Sequence, residues 1–366
     1  VNGLKALVLA GGFGTRLRPL SCTRPKLLLP VANQPALDWT LRDLSAHGVE
    51  TVVLAVNYMA EAFVRYLGPS KFNLGIQYSR EERPLGTGGP IKRAESYFRD
   101  GEPFLVLNGD VISSIDYDRL LEFHKEKGGL ATIALHEVPD PSRYGAVDLD
   151  GRDRVRRFVE KPRPGEEPSN LVNAGIYVFD PKIIEYIPEG RSVSTELEVF
   201  PRLAEEGQLY GFEFRDLWVD IGLPEDYLTA NALLLARENG TKFGKGVMVD
   251  PSAEVLTPSI IGEGVRIGGK SVIGPNCAVA DNVVIGSGCR IENSIVFSGT
   301  VIGDFTSIRG AILGENVMLE RWVKIEEGSI IGDHTSIADG VTITRDVSIC
   351  PSKRVEESIL EPSRVM

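Results

Sequence analysis

Over the first two thirds of the chain, short runs of consecutive apolar residues alternate with stretches whose apolar positions recur every three or four residues. L-K-A-L-V-L-A at 4–10, E-T-V-V-L-A-V at 50–56 and P-F-L-V-L-N at 103–108 have the near-continuous apolar character of parallel strands buried on both faces. Between them, A-L-D-W-T-L-R-D-L-S-A-H-G at 36–48 spaces its apolar residues as an amphipathic helix and ends on Gly48; the segment around 58–67 reads the same way. Strand and helix in alternation predict a doubly wound, mostly parallel Rossmann-like α/β domain over 1–236. Ligands of such sheets bind beyond the carboxyl ends of the strands, which singles out the loops at 11–26 and 108–112.

From about 249 the grammar changes to a period of six. Val249, Val255, Ile261, Ile267, Ile273, Val279, Ile285 and Ile291 keep strict intervals of six, and Leu313, Leu319, Ile325, Ile331, Ile337, Ile343, Ile349 and Val355 form a second phase. Phe297, Ile302 and Ile308 bridge the phases with steps of five, six and five, as two single-residue deletions at corners would. One buried aliphatic per six residues predicts a parallel β-helix in which each repeat supplies one face of a triangular coil. An ordinary sandwich would instead show alternating strands with irregular turns. The expected organisation is thus a domain over 1–236, a linker over 237–248 and a coil over 249–366. Similarity to hexapeptide-repeat proteins implies the left-handed form.

Composition narrows the function classes. The chain has 366 residues, 42% hydrophobic and 25% charged, which is ordinary globular usage and room for two or three domains. A net charge of −11 opposes nucleic-acid binding but leaves open a small anionic ligand held by local cations. No apolar run is long enough to span a bilayer, and the opening V-N-G-L-K-A-L-V-L-A is read as too short for a leader, so the expectation is a cytoplasmic protein without membrane partners. Cys22, Cys277, Cys289 and Cys350 form no C-x-x-C pair and are expected as free thiols.

After the first strand stands G-G-F-G-T-R-L-R-P at 11–19, followed by T-R-P-K at 23–26. Glycines directly after a strand let backbone N–H groups face a phosphate, and Arg16 and Lys26 supply positive charge. The string matches neither Walker A nor G-x-G-x-x-G. It resembles the signature loop of the sugar nucleotidyltransferases. Further strings agree: E-E-R-P-L-G-T-G-G-P at 81–90 looks like that family's base-reading loop, N-G-D-V at 108–111 like its metal-binding strand end, and F-V-E-K-P at 158–162, V-N-A-G-I-Y at 172–177 and W-V-D-I-G at 218–222 like its sugar and second metal segments. The likeness is greatest to members that join GTP to mannose-1-phosphate and carry a C-terminal hexapeptide domain, and extends to the tail E-P-S-R-V-M at 361–366.

This resemblance implies roles residue by residue. Gly11, Gly12, Gly14, Thr15, Arg16, Lys26, Glu81, Pro84, Gly86, Thr87, Asn108 and Gly109 would bind the nucleotide. Gly145, Glu160, Lys161, Asn173 and Gly175 would bind the sugar phosphate, and Asp110 and Asp220 would hold Mg²⁺. Arg16, Lys26, Asp110 and Asp220 form the expected catalytic set. A sugar phosphate is largely ionised at neutral pH, so in-line attack on the α-phosphorus needs alignment and charge neutralisation rather than a protein base. Guanine offers N1–H and N2–H₂ side by side, which match a carboxylate, so Glu81 favours a guanine reader where relatives that read pyrimidines often carry Gln.

His47, His124, His136 and His334 show no metal or triad spacing, and His334 in G-D-H-T-S reads as a turn residue. Three rivals stay open: a related transferase such as a glucose-1-phosphate thymidylyltransferase, a bifunctional enzyme with an acyltransferase in the coil, and a silent regulatory subunit. The exposed flank of a solenoid predicts a homo-oligomer through the coil.

Overall fold

The structure is a computed structural model that describes residues 3–238 and 240–365; Met366, the end of the tail string, lies outside them. The chain divides into two compact units, one of Val1–Gly12 with Leu37–Val219, the other of Phe13–Ala36 with Asp220–Met366.

The first unit is built on a ten-stranded sheet. Phe104–Asn108, Leu4–Leu9, Val49–Val56 and Leu74–Arg80 lie side by side and parallel, the first three in the runs expected from their apolar character. The helix predicted at 36–48 forms over Ala36–Ala46, and Gly48 beyond it takes the left-handed conformation that ends the turn. Ala60–Leu67 is helical. Strand order reverses between Leu4–Leu9 and Phe104–Asn108, so the crevice that doubly wound sheets offer to ligands opens beyond Leu9 and Asn108. There the Gly109 N–H donates to the Leu9 carbonyl at 3.0 Å. Leu171–Phe179 adds antiparallel to Phe104–Asn108 and also pairs with Ala131–Glu137, with an irregularity between Asn173 and Tyr177.

In the second unit, three parallel sheets of eight, seven and six short strands form the faces of the left-handed β-helix. Stacked partners lie eighteen positions apart, as in Ile261 with Val279, and seventeen where the coil shortens, as in Val279 with Val296 and Val296 with Leu313. The aliphatic positions of the hexapeptide period, from Ile261 to Val355, form one continuous core.

Two details differ from the periodicity. Val296, not Phe297, occupies the inward position, so the steps run five, six, six, five; both side chains are apolar, and only register separates them. The coil also begins earlier, because Lys242–Phe243 and Met248–Val249 pair with later strands inside the stretch read as linker. Phe243 keeps the six-residue phase but is aromatic and, at the coil's end, half exposed.

His334 sits exposed at φ 59° in a coil turn, the place taken in other turns by Asn282, Asn316 and Asp346. All four cysteines are free thiols, and burial pushes the Cys277 thiol up to about 12. Among the described residues no helix is long and apolar enough to cross a membrane.

Candidate active site

In the first unit the predicted residues collect at the carboxyl ends of the parallel strands. Glu81 follows the strand Leu74–Arg80 and is only 8% exposed, whereas its neighbour Glu82 is exposed, as alternation along an extended segment requires. The Leu85 N–H donates to Glu81 Oε2 at 3.1 Å. Burial raises the carboxyl above its ordinary range, against the lowering effects of that N–H and of Arg93. Glu81 Oε1 would stand 3.2 Å from a Cβ placed on Gly11, so the first glycine of the signature keeps this carboxylate uncovered. Asn57, at the end of Val49–Val56, lies in the same corner, its Cβ 3.5 Å from that Gly11 position and its Nδ2 buried without a hydrogen-bond partner among the described residues. Sequence reasoning missed Asn57, since one amide after a strand carries no motif.

The loop 84–88 is stitched to 193–196. Pro84 is exposed; Gly86, at φ 77°, packs so closely on Val193 that a Cβ would lie 2.3 Å from the Val193 carbonyl oxygen. Thr87 Oγ1 accepts from the Thr195 N–H at 2.9 Å and donates to Glu196 Oε2 at 2.5 Å. That hydroxyl braces the loop 84–88 against 193–196. The spacing of the chain gave no sign of Thr195 or Glu196 as its partners.

Beside this corner stand the residues expected for the sugar. Asn108 ends its strand against Gly175, which at φ 73° leaves no room for a side chain: a Cβ would lie 2.7 Å from Asn108 Nδ2. Asn173 Oδ1 accepts from the Gly175 N–H at 2.9 Å and its Nδ2 donates to the Tyr177 hydroxyl at 3.0 Å. The break in pairing with Ala131–Glu137 is where this turn is made. Gly145 pairs with Glu160, and a Cβ there would press on Phe158 and on Glu160 Oε2 at 2.9 Å. Burial, then the neighbouring Glu196, raises the Glu160 carboxyl, while Lys161 opposes the rise. Lys161 Nζ is 3.5 Å from Glu160 Oε1 on a side chain two-thirds exposed, and its backbone is held at φ 47°, uncommon for a residue with a Cβ. Gly109 is buried and Asp110 half-buried at the crevice itself, while Gly12 is exposed with open space around it.

The second unit holds the rest of the signature. Gly14, at φ 60°, starts a single 3₁₀ turn over Thr15–Leu17, and a Cβ on it would meet Lys26 Cβ at 3.0 Å. The Gly14 carbonyl accepts from Ser21 Oγ at 2.7 Å. Thr15 and Arg16 are exposed; Lys26 is 8% exposed. Arg16 and Asp220 meet over Gly222: a Cβ there would lie 3.1 and 3.4 Å from the Asp220 carboxylate oxygens and 3.3 Å from Arg16 Nη2. Glycine at 222 therefore leaves room for Arg16 and the Asp220 carboxylate to meet, and that carboxylate is an oxygen donor of the kind a hard cation takes.

One further group, His47 with Asp116 and Asp118, brings possible ligand atoms within 4.8 Å of one another, which linear spacing does not show. Both carboxylates are exposed, and Asp116 is the N-cap of Tyr117–Lys127, accepting from the Arg119 N–H at 3.0 Å.

Comparison with known proteins agrees with this arrangement. Residues 5–237 match the nucleotidyl transferase family model and residues 243–365 match the GMPPB C-terminal domain. Similar curated proteins include a mannose-1-phosphate guanyltransferase of Aspergillus fumigatus, 40% identical over 99% of this chain and 100% of that protein. Another is the mannose-1-phosphate guanylyltransferase catalytic subunit beta of Drosophila pseudoobscura pseudoobscura, 40% identical over 100% of this chain and 97% of its own length. Among solved structures, HddC from Yersinia pseudotuberculosis complexed with GMP-PN is 32% identical, with a TM-score of 0.55 over 63% of this chain and 99% of that one. A glycine-rich signature after the first strand, a ligand crevice at the strand-order reversal and full-length matches on both units lead to one assignment: this chain is a nucleotidyltransferase, a member of the nucleotidyl transferase family that carries the GMPPB C-terminal domain.

Proposed function

We propose that the chain makes GDP-mannose and pyrophosphate from GTP and mannose-1-phosphate. The observation that carries the reading of the base is the buried Glu81 carboxylate facing Gly11 beside Asn57. A carboxylate accepts from guanine N1–H and N2–H₂, and the Asn57 amide donates to O6 on the adjoining edge. The full-length relatives named for mannose-1-phosphate support the choice of sugar.

In this reading an oxygen of the sugar phosphate attacks the α-phosphorus of GTP, the bond from that phosphorus to the bridging oxygen breaks, and pyrophosphate leaves with the electron pair. No proton need be removed from the nucleophile. Arg16 and Lys26 neutralise charge growing on the triphosphate, and Lys161 swings its exposed amine to the sugar phosphate. Glu160 and Asn173 take the sugar hydroxyls, with Gly145 and Gly175 letting backbone approach. Asp110 and Asp220 are the carboxylates assigned to Mg²⁺, a hard ion that takes one or two carboxylates together with phosphate oxygens. When bound, the ion supplies charge neutralisation at the phosphates.

Functionally we divide the chain into a transferase domain of 1–236 and the coil, which is entered through its first strand Lys242–Phe243 and through which copies associate. A cytoplasmic setting accords with the free thiols. Pyrophosphate release, assayed with GTP, UTP, dTTP and ATP against several sugar-1-phosphates, tests the proposal: release should be fastest for GTP with mannose-1-phosphate. A faster rate with dTTP and glucose-1-phosphate would replace it by the thymidylyl alternative.

A further inference from the structure

The coil contributes no group to the chemistry just described, yet within the second unit it grips the signature loop. Arg24 donates through Nη1 to Glu315 at 2.5 Å and through Nη2 to Asp333 Oδ2 at 2.9 Å. Thr23 Oγ1 donates to the same Asp333 oxygen at 2.6 Å. The guanidinium also lies 5.5 Å from the ring of Phe297, the residue that left the coil's inward phase. Nearby, Asn33 Nδ2 donates to the Val279 carbonyl at 2.7 Å.

Asp333 does two jobs with its two oxygens. Oδ1 accepts the Glu315 N–H at 2.8 Å, the same turn closure that Asp281 provides for Glu263 and Asp304 for Ser287. Those counterparts are more exposed, and Asp333 is 3% exposed because Oδ2 is covered by Thr23 and Arg24. The second contact is therefore an addition to the repeat, not a requirement of it. Two carboxylates on Arg24 also commit its charge to the coil. Just beyond lie Pro25 and Lys26, and Lys26 packs on Gly14, whose carbonyl is held by Ser21. The contacts run unbroken from coil to Arg24, to Lys26, to the glycine turn.

We propose that Asp333 and Glu315 are positioning residues for nucleotidyl transfer: by holding Thr23 and Arg24 they set the backbone from which Lys26 and the Gly14 turn act on the triphosphate. The proposal rests on the transferase reading for its kinetic consequence, but not for the clamp itself. A partly buried ion pair brings little net stability after desolvation, whereas a small displacement of a charge-neutralising group costs rate heavily.

The test is Asp333→Asn in the full-length chain, which keeps the oxygen that closes the coil turn and removes the charge that holds Arg24. Deuterium uptake at 13–29 should rise while peptides from 249–355 exchange as in the wild type, and kcat should fall about ten- to a hundredfold with the KM for mannose-1-phosphate little changed. Glu315→Gln should act in the same direction more weakly, and Arg24→Ala combined with Asp333→Asn should be no slower than the worse single variant. Unchanged uptake at 13–29 with full kcat would overturn the proposal. Uptake rising through the coil as well, in both Asp333→Asn and Glu315→Gln, would make the corner merely structural and overturn it too. Exchange is read on the free protein, so a wild type inactive on GTP would strike the transferase reading and leave the clamp to be judged by uptake.

Discussion

Replacing Glu81 by Gln should damage guanine use without damaging the fold. The carboxylate is 8% exposed and takes one N–H, from Leu85 at 3.1 Å. Guanine would bring two more donors to it, each a hydrogen bond to a charged group in a desolvated place, worth about 1.5–3 kcal/mol. Gln removes the charge and turns one acceptor into a donor, so kcat/KM for GTP should fall about ten- to a hundredfold. ITP lacks the N2 amine, so the wild type should prefer GTP over ITP and the variant should lose most of that preference. Burial raises the Glu81 carboxyl. A raised folded value means stability that is present in acid and lost as pH rises through that value, a loss that Gln, which does not ionise, escapes. Glu81→Gln should thus have an equal or higher Tm at pH 7, with the difference closing in acid. The same shift places the acid limb of wild-type kcat/KM for GTP above the ordinary carboxylate range. Competition assays of GTP against ITP, with melting curves at two pH values, read all of this; exposed Glu82→Gln is the control. A lowered Tm together with an unchanged GTP/ITP ratio would refute the reasoning and make Glu81 a structural residue.

Other substitutions probe the remaining groups. Asp110→Asn and Asp220→Asn should each remove most turnover at saturating Mg²⁺ with near-normal melting, and chelation should silence the wild type until Mg²⁺ is restored. Gly222→Ala should lower kcat at least tenfold, since its Cβ would crowd Asp220 and Arg16; an active variant would show that this carboxylate face is not used. Full-length protein should run as an oligomer by light scattering at micromolar concentration, and removal of residues from about 245 onward should give a smaller or unstable species; a full-length monomer would contradict association through the coil.

What could be read from the residues, and what could not, divides along physical lines. The strands at 4–9, 49–56 and 104–108 are continuous apolar runs and the coil is periodic, and both are local properties. The exchange of Phe297 for Val296 came from a corner where two apolar neighbours leave the phase undetermined until stacking on Val279 and Leu313 decides it. That only one of Glu81 and Glu82 can face inward follows from alternation in an extended segment, which is also local, and the burial of Glu81 shows which. Asn57, Thr195 and Glu196 were not visible, for their significance lies in what they face across the sheet ends. The same holds for Arg24: Asp333 is 309 residues away, and no pattern near either one announces the pair.

The central claim is tested most directly by letting the purified protein choose. With mannose-1-phosphate, Mg²⁺ and equal concentrations of GTP, ATP, UTP and dTTP in one reaction, mass spectrometry of the nucleotide sugars should find GDP-mannose as the dominant product, with pyrophosphate in equal amount. A dominant product carrying another base, or no nucleotide sugar from an intact and folded protein, would contradict it.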